Sequence, residues 1–375
     1  MRVAFYSDNL YPELSGITDS IITTGEELRK RGHDVVYVGP WYPKKAYKEG
    51  RNADRDKLPI KHLPSLPMPN APTGQTRIVI PSGASIRFLA KFQPDIVHTQ
   101  TPYGAGLEAL LASWFLGVPL VGTNHTPIGE FVHYVPFGRQ LTPIARRFDA
   151  WYYNRCRFVS APYQGLIDEM RTVGFKRNGR AQANPVPHMK KFPRKAEGRT
   201  ILCSGRLATE KQVDVVLQAF ALLLKRMPEK ELIITGRGAA EPGLKTLTKT
   251  LGIEKQVRFV GFVVQEELAK LYAHSDIYVI MSTAETQSLS LMQAFANGMP
   301  AIAVRSRGLI DYTKEDRGLL VAPGDAVALA KRMEELFQSK ELRDRMGAAG
   351  MKFVETLSPS KIAEDWETIY KEVLG

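Results

Sequence analysis

Cysteine is nearly absent. Cys156 and Cys203 stand alone in 375 residues, which excludes a disulfide framework and any cysteine-built metal site. Both read as ordinary buried thiols. Long apolar runs are missing too. The longest, Ala109 to Gly122, holds about 14 residues and is broken by Gly117 and Pro119. A bilayer-spanning helix needs roughly 20, so this run reads as a buried helix, a turn and a strand. The opening MRVAFYS enters a strand directly, without the pattern of a secretory leader. A cytoplasmic protein is therefore expected. No RNP, KH, helix-turn-helix or zinc pattern is present, which argues against a nucleic-acid partner. No Asp-x-Asp or other acidic cluster stands at a fitting position for a divalent ion, so no metal is expected.

Acid is in short supply relative to base. Lys and Arg number 51 against 39 Asp and Glu, a formal charge of +12. The imbalance is local: residues 1–190 carry +9 and residues 191–375 only +3. Such asymmetry points to an anionic partner for the first half, or to a basic surface kept for solubility.

The chain alternates short β-branched runs with helical patterns. In the first half the strands are RVAFYS (2–7), DVVYV (34–38), DIVHT (95–99), PLVGTNH (119–125) and RFVSAP (157–162). Helices are expected at 20–31, 86–92, 107–116, 145–155 and 165–173. The second half repeats the plan, with strands at 200–206, 231–238, 256–261, 276–282, 299–304 and 318–323. Helices there fall at 213–224, 244–251, 266–274, 290–297 and 327–340. Such alternation implies parallel sheets covered on both faces. The stretch 184–198, rich in Pro, Lys and Arg, reads as a linker. The expected architecture is two doubly wound, Rossmann-like α/β domains, with ligands at the carboxyl ends of the strands. The first would span 1–190 and the second 191–357, with a helix in the tail 358–375 crossing back. The plan serves transferases and two-domain binding proteins alike.

Three loops hold candidate chemistry. Gly16, in Tyr11-Pro12-Glu13-Leu14-Ser15-Gly16-Ile17-Thr18, would let a phosphate approach backbone N–H groups at a helix start; a plain βα turn would equally well use a glycine there. In Ser204-Gly205-Arg206-Leu207-Ala208-Thr209-Glu210-Lys211, a guanidinium fork and a point cation together suit a diphosphate. Ordinary surface ion pairs remain the alternative. The third loop is Ser282-Thr283-Ala284-Glu285-Thr286-Gln287-Ser288-Leu289, and it leads into Ser290-Leu291-Met292-Gln293. Glu285 lies at its turn. A helix begins near Ser288 and its first N–H groups are available to sugar hydroxyls or phosphate, which makes Thr286, Gln287, Ser288 and Leu289 candidate binding residues. Gln293 follows about two helical turns on. His125, ending a strand in Thr123-Asn124-His125-Thr126, is a further candidate, although a lone histidine is more often structural.

Taken in order, these motifs resemble the retaining glycosyltransferases of the GT-B fold, family four. The resemblance runs through Gly16, the TNHT histidine, SGRLATEK, TGRG and ETQSLSLMQAFANGMP. It implies two Rossmann-like domains facing each other across a deep cleft. The N-terminal domain would bind the acceptor and the C-terminal domain a sugar nucleotide, most often a UDP-sugar. By the same resemblance Gly16 and Gly236 meet the donor, and Arg206 and Lys211 bind its diphosphate. Glu285 holds a sugar hydroxyl, and His125 lies near the reacting hexose. Gln293 stands where the family has a glutamate for the ribose, a departure that gives up a charge-assisted hydrogen bond. No cofactor beyond the donor is implied.

The acceptor is less legible. Trp41, Tyr42, Lys44, Lys45, Tyr47 and Lys48 interleave rings with cations, as do Phe131, Tyr134, Phe137, Arg139, Arg146 and Arg147. Rings beside cations suit docking on anionic lipid, and core aromatics beside solvated charges make the same pattern. The ETQSLSL variant is similar to that of bacterial diacylglycerol glucosyltransferases, which sit on the membrane face without crossing it. A peripheral enzyme on the inner face of the plasma membrane, acting on a lipid acceptor, is then expected. A soluble, polyprenyl-linked or phosphatidylinositol-type acceptor, or a catalytically silent sugar-nucleotide binder, are the alternatives.

Overall fold

The computed structural model describes residues 1–13, 15–49, 57–68, 76–125, 138–187 and 192–375. Leu14, Phe131, Tyr134 and Phe137 lie outside the described residues, as do the side chains of Lys45, Lys48 and Arg139. The chain divides into two compact units. Unit 1 is Met1–Pro185 together with Pro359–Gly375, and unit 2 is Val186–Ser358.

Unit 1 begins β1 (Arg2–Tyr6), α1 (Gly16–Lys30), β2 (Asp34–Pro40), α2 (Lys44–Glu49) and β3 (Ile60–Leu63). A small hairpin of β4 (Ser65–Pro67) and β5 (Arg77–Val79) follows, then α3 (Ile86–Phe92) and β6 (Ile96–Thr99). The unit continues through α4 (Gly104–Leu116), β7 (Leu120–Thr123), α5 (Gly138–Tyr153), β8 (Phe158–Ala161), α6 (Gln164–Thr172) and β9 (Gly179–Ala181). Seven of the strands form one parallel sheet in the order β3-β2-β1-β6-β7-β8-β9. Its central strands are buried throughout, apart from Arg2 at the start of β1, which is why they read as apolar runs.

From β6 to β9 each step goes the same way across the sheet. Right-handed crossovers therefore put α4, α5 and α6 on one face, and α3 packs against α4. The step from β1 to β2 goes the other way and puts α1 on the opposite face. There the C-terminal helix Pro359–Leu374 lies against α1, burying Ile362, Trp366, Ile369 and Tyr370. Tyr370 bonds His98 Nδ1 at 2.7 Å, Thr123 bonds its Nε2 at 2.8 Å, and the Trp366 ring lies 4.5 Å from the imidazole. Arg31 and His33 clamp Glu367 of the same helix at 2.8 and 2.5 Å.

Several expectations shift. Helix α1 starts four residues before the periodic pattern does, because Ser15 caps it by accepting from Thr18 N–H; its polar first turn carries no apolar stripe. Helix α4 is not wholly buried: Trp114 and Phe115 at its end face solvent. Of the rings in 41–47, Trp41 is exposed. Tyr42 instead turns inward onto Glu13 at 3.2 Å, and Tyr47 meets His62 at 3.2 Å.

Unit 2 runs β10 (Thr200–Ser204), α7 (Val213–Leu224), β11 (Glu231–Thr235), α8 (Glu241–Thr250), β12 (Val257–Gly261) and α9 (Gln265–His274). It closes with β13 (Ile277–Ile280), α10 (Leu289–Ala296), β14 (Ala301–Val304), α11 (Arg307–Tyr312), β15 (Gly318–Val321), α12 (Ala326–Gln338) and α13 (Lys340–Glu355). The sheet is parallel, in the order β12-β11-β10-β13-β14-β15. Its strand order reverses between β10 and β13. The buried Asp276 carboxylate fixes that junction by accepting N–H groups of Gly198, Arg199 and Thr200 at 2.7–2.8 Å.

Candidate active site

In an open parallel sheet, the loops leaving the two strands at a reversal splay apart and leave a crevice. In unit 2 these are the loops after β10 and β13, and they hold Arg206, Lys211 and Glu285. Residues far apart in sequence meet there: Lys211 Nζ forms an ion pair with Glu285 Oε1. Arg206 pairs with Glu210 at 2.8 Å. Both cations are thus present with a carboxylate beside each.

Backbone ties hold the two loops to each other. Thr283 N–H donates to the Glu210 carbonyl at 3.0 Å, and Ser306 Oγ donates to the Thr283 carbonyl at 2.8 Å. Gly308 N–H reaches the Glu285 carbonyl at 3.2 Å. Glu285 is therefore positioned from both flanks. Ser288 caps α10 by accepting from Leu291 N–H at 3.3 Å. The N–H groups of Leu289 and Ser290 are left over at the helix start by position.

The loop after β11 packs directly on the loop after β10. A Cβ on Gly236 would stand 1.9 Å from the Gly205 carbonyl oxygen, and φ at Gly236 is +106°. Only glycine fits that approach. Leu207 N–H donates to the Arg237 carbonyl at 2.9 Å, completing the contact.

Two adjoining cavities result. A small one, about 40 Å³, is lined by Gly205, Arg206, Lys211, Ser282, Glu285 and Ser290 among others. A larger one, about 650 Å³, is bounded by Gly205, Arg206, Gly236, Arg237, Phe262 and Leu268. Its volume lies within the range of small-molecule sites. Arg237, Phe262, Val263 and Leu268 were not singled out by the sequence reading. The available signal was the Gly261-Phe262-Val263-Val264 run at a strand's carboxyl end, where apolar side chains outlast the strand; Phe262 is 74% exposed. Glu210, the partner of Arg206, was likewise passed over.

Of the other candidates, Gly236 lines the larger cavity, whereas Thr286, Gln287 and Gln293 line neither. Gln293 lies half-buried in α10, its carbonyl accepting from Asn297 Nδ2 at 2.8 Å. Gly16 and His125 belong to unit 1. Gly16 is the first residue of α1 and is exposed, without a positive φ. His125 follows β7 and is buried, its Nε2 at 2.6 Å from Gln100 Oε1. The amide oxygen accepts, so Nε2 carries the proton. Nδ1 is then an acceptor, with no hydrogen-bond partner among the described residues.

Burial pushes the His125 pKa down to about 4 from 6.5, and the imidazole is neutral at pH 7. His98, also buried, shifts the same way. Between pH 6.5 and 4 the unfolded chain takes up protons that the folded chain refuses, so stability falls as pH drops through that window. His125→Asn should remove a share on the order of 3 kcal/mol from that fall, read from denaturant midpoints between pH 4 and 7. Activity of the unaltered protein should show no break near pH 6.5 arising from this residue.

Two Rossmann-like parallel-sheet units, one with two cations at its strand reversal, are the arrangement of the GT-B fold. Family comparison agrees. Residues 14–187 match the model of Glycosyltransferase Family 4 and residues 187–353 that of Glycosyl transferases group 1, and the chain belongs to this group of GT-B glycosyltransferases. It is similar to two proteins named alpha-monoglucosyldiacylglycerol synthase. With that of Streptococcus pneumoniae it is 27% identical, over 81% of this chain and 71% of the relative. With that of Acholeplasma laidlawii it is 23% identical, over 100% and 98%. The GDP-mannose-dependent alpha-mannosyltransferase of Corynebacterium glutamicum is 26% identical, over 86% and 76%. Among solved structures, HepE of Anabaena in complex with UDP superposes with a TM-score of 0.77 at 16% identity, covering 99% of this chain and 100% of that one. No helix among the described residues is long and apolar enough to cross a membrane.

Proposed function

We propose that the chain transfers a hexose from a UDP-sugar to a membrane lipid, diacylglycerol, with retention at the anomeric carbon. The observation that carries this reading is the convergence of Arg206, Lys211 and Glu285 at the strand reversal of unit 2, beside a cavity of about 650 Å³. The nucleobase occupies that cavity against Arg237, Phe262 and Leu268. The diphosphate lies on Arg206, Lys211 and the Gly205 and Gly236 backbone. Glu285, the turn 286–288 and Leu289 at the start of α10 hold hexose hydroxyls; Gln293, which lines neither cavity, has the ribose role from the resemblance alone. Gly16 and His125, in unit 1, keep the donor-side roles that the family resemblance gives them.

As the glycosidic bond breaks, negative charge grows on the departing diphosphate, and two preorganised cations stabilise it. The acceptor hydroxyl enters on the same face and passes its proton to a phosphate oxygen as the new bond forms. No metal ion has a part in this scheme. The similarity to two alpha-monoglucosyldiacylglycerol synthases favours the lipid acceptor, and the basic first half favours a peripheral place on the inner face of the plasma membrane.

The test is a panel of UDP- and GDP-sugars with diacylglycerol in anionic vesicles and in non-ionic detergent, with the lipids read by mass spectrometry. A hexosyl-diacylglycerol formed from one UDP-sugar is expected, its anomeric configuration the same as the donor's by NMR. Product from GDP-mannose alone would overturn the donor. UDP release onto a soluble or polyprenyl acceptor alone would overturn the lipid. Donor binding without turnover onto any acceptor would mark a silent homologue.

A further inference from the structure

Helices α3, α4 and α5 share one face of unit 1, and their exposed surface is of an uncommon kind. Helix α4 contains no Lys or Arg, and its one carboxylate, Glu108, is buried, accepting N–H groups of Ser82, Gly83 and Ser85 at 2.8 Å. Leu111, Trp114 and Phe115, spaced i, i+3 and i+4, turn outward together; Trp114 is 74% exposed and Phe115 62%. Helix α5 repeats the arrangement with Leu141, Ile144 and Trp151 on its outer stripe. Its one carboxylate, Asp149, is buried as well.

The exposed charges of α3, α4 and α5 are all of one sign; Asp168 on the neighbouring α6 is exposed and pairs with Arg171 at 2.9 Å. Arg87 and Lys91 of α3, Arg147 of α5 and Arg155 just beyond it are exposed. Arg155 stacks on the Trp151 ring at 3.6 Å, so the cation and the ring are offered as one surface. Across α3, α4 and α5 there is no exposed carboxylate to offset them. Exposed tryptophans and aliphatics flanked by Arg and Lys are what an interfacial protein presents to headgroups and upper acyl chains. A symmetric pair of copies would set this basic patch, with no carboxylate to answer it, against itself, which opposes self-association. A phosphate backbone offers nothing to Leu111, Leu141 or Ile144.

We propose that the α3–α4–α5 face of unit 1 is the surface by which the protein docks on an anionic lipid bilayer, with Trp114, Phe115 and Trp151 entering the interface and the arginines meeting the headgroups. This rests on the lipid-acceptor reading and gives it a specific surface, one outside the 41–48 stretch of the sequence.

The experiment is flotation with vesicles of phosphatidylcholine alone and of equal parts phosphatidylcholine and phosphatidylglycerol. The unaltered protein should float with the anionic vesicles and lose most of that binding at high salt. Trp114→Ser with Phe115→Ser should weaken it by about tenfold or more, as should Arg147→Glu with Arg155→Glu, with melting temperatures unchanged since all four side chains face solvent. Transfer to diacylglycerol in non-ionic detergent should stay at the unaltered rate in both variants while transfer in vesicles falls. Absence of binding by the unaltered protein, or equal binding by both variants, overturns the docking face. So does a dimer that the serine variant converts to monomer without change in flotation. The detergent assay reports on the acceptor by itself, and its failure would overturn the lipid reading rather than the surface.

Discussion

Lys211→Ala is expected to lower turnover by two or more orders of magnitude while leaving the protein folded. Lys211 stands on a single 3₁₀ turn, Thr209–Lys211, and is partly exposed, so little of the fold depends on it. Its work is electrostatic. A preorganised donor aimed at charge that develops in the transition state is worth about 10²–10³ in rate. The change also strips Glu285 of its partner and leaves its carboxylate uncompensated beside the departing diphosphate. Arg206→Ala should cost a similar factor, and Arg206→Lys should recover only part of it, since a point charge lacks the fork. The measurement is kcat and KM for donor, together with a melting curve. A fall in kcat at unchanged melting temperature is the expected result; rates like those of the unaltered protein in both alanine variants would remove the phosphate site.

The second large effect concerns stability. Ending the chain at Ser358 deletes the helix that covers one face of unit 1, and unit 1 of the shortened protein is expected not to fold. Ile362, Trp366, Ile369 and Tyr370 are all buried there. Each such side chain contributes roughly 1.5–3 kcal/mol, which together rivals the 5–15 kcal/mol by which ordinary domains are stable. The loss also exposes His98, whose ring packs against both Trp366 and Tyr370. Tyr370→Phe is the milder companion, costing about 1 kcal/mol for one hydrogen bond. Circular dichroism and denaturant titration of both variants check this. A truncated protein that melts like the full chain would mean the helix is an accessory.

Much of this was legible beforehand, for a physical reason. Parallel strands buried on both faces must be continuously apolar, so DVVYV, DIVHT and AIAV announced themselves. Strands β3, β4 and β5 did not. They are three or four residues long, lie among Pro59, Pro64 and Pro67, and are only partly buried. Helix α13 was missed because it packs through absence: a Cβ on Gly347 would stand 2.2 Å from the Gly298 carbonyl oxygen. A helix that docks by small residues shows no apolar stripe. In the site, the charged members were readable because their types and spacing are unusual. Phe262 and Leu268 were not, since a cavity wall and a core are built from the same side chains. The inward turn of Tyr42 could not be read either, because its partner Glu13 comes from a different loop.

Unit 1 is written in two pieces, with the whole of unit 2 between them. During synthesis, the sheet through β9 leaves the ribosome without the helix that seals it. With Val186–Ser358 still to be made, the wait is roughly ten to thirty-five seconds at ordinary elongation rates. Through that interval the His98 side of the sheet lacks Trp366 and Tyr370 and offers an open apolar trough to any holding chaperone. Unit 2, uninterrupted in the chain, can complete itself during the wait. The nascent protein therefore matures out of order, its second unit before its first.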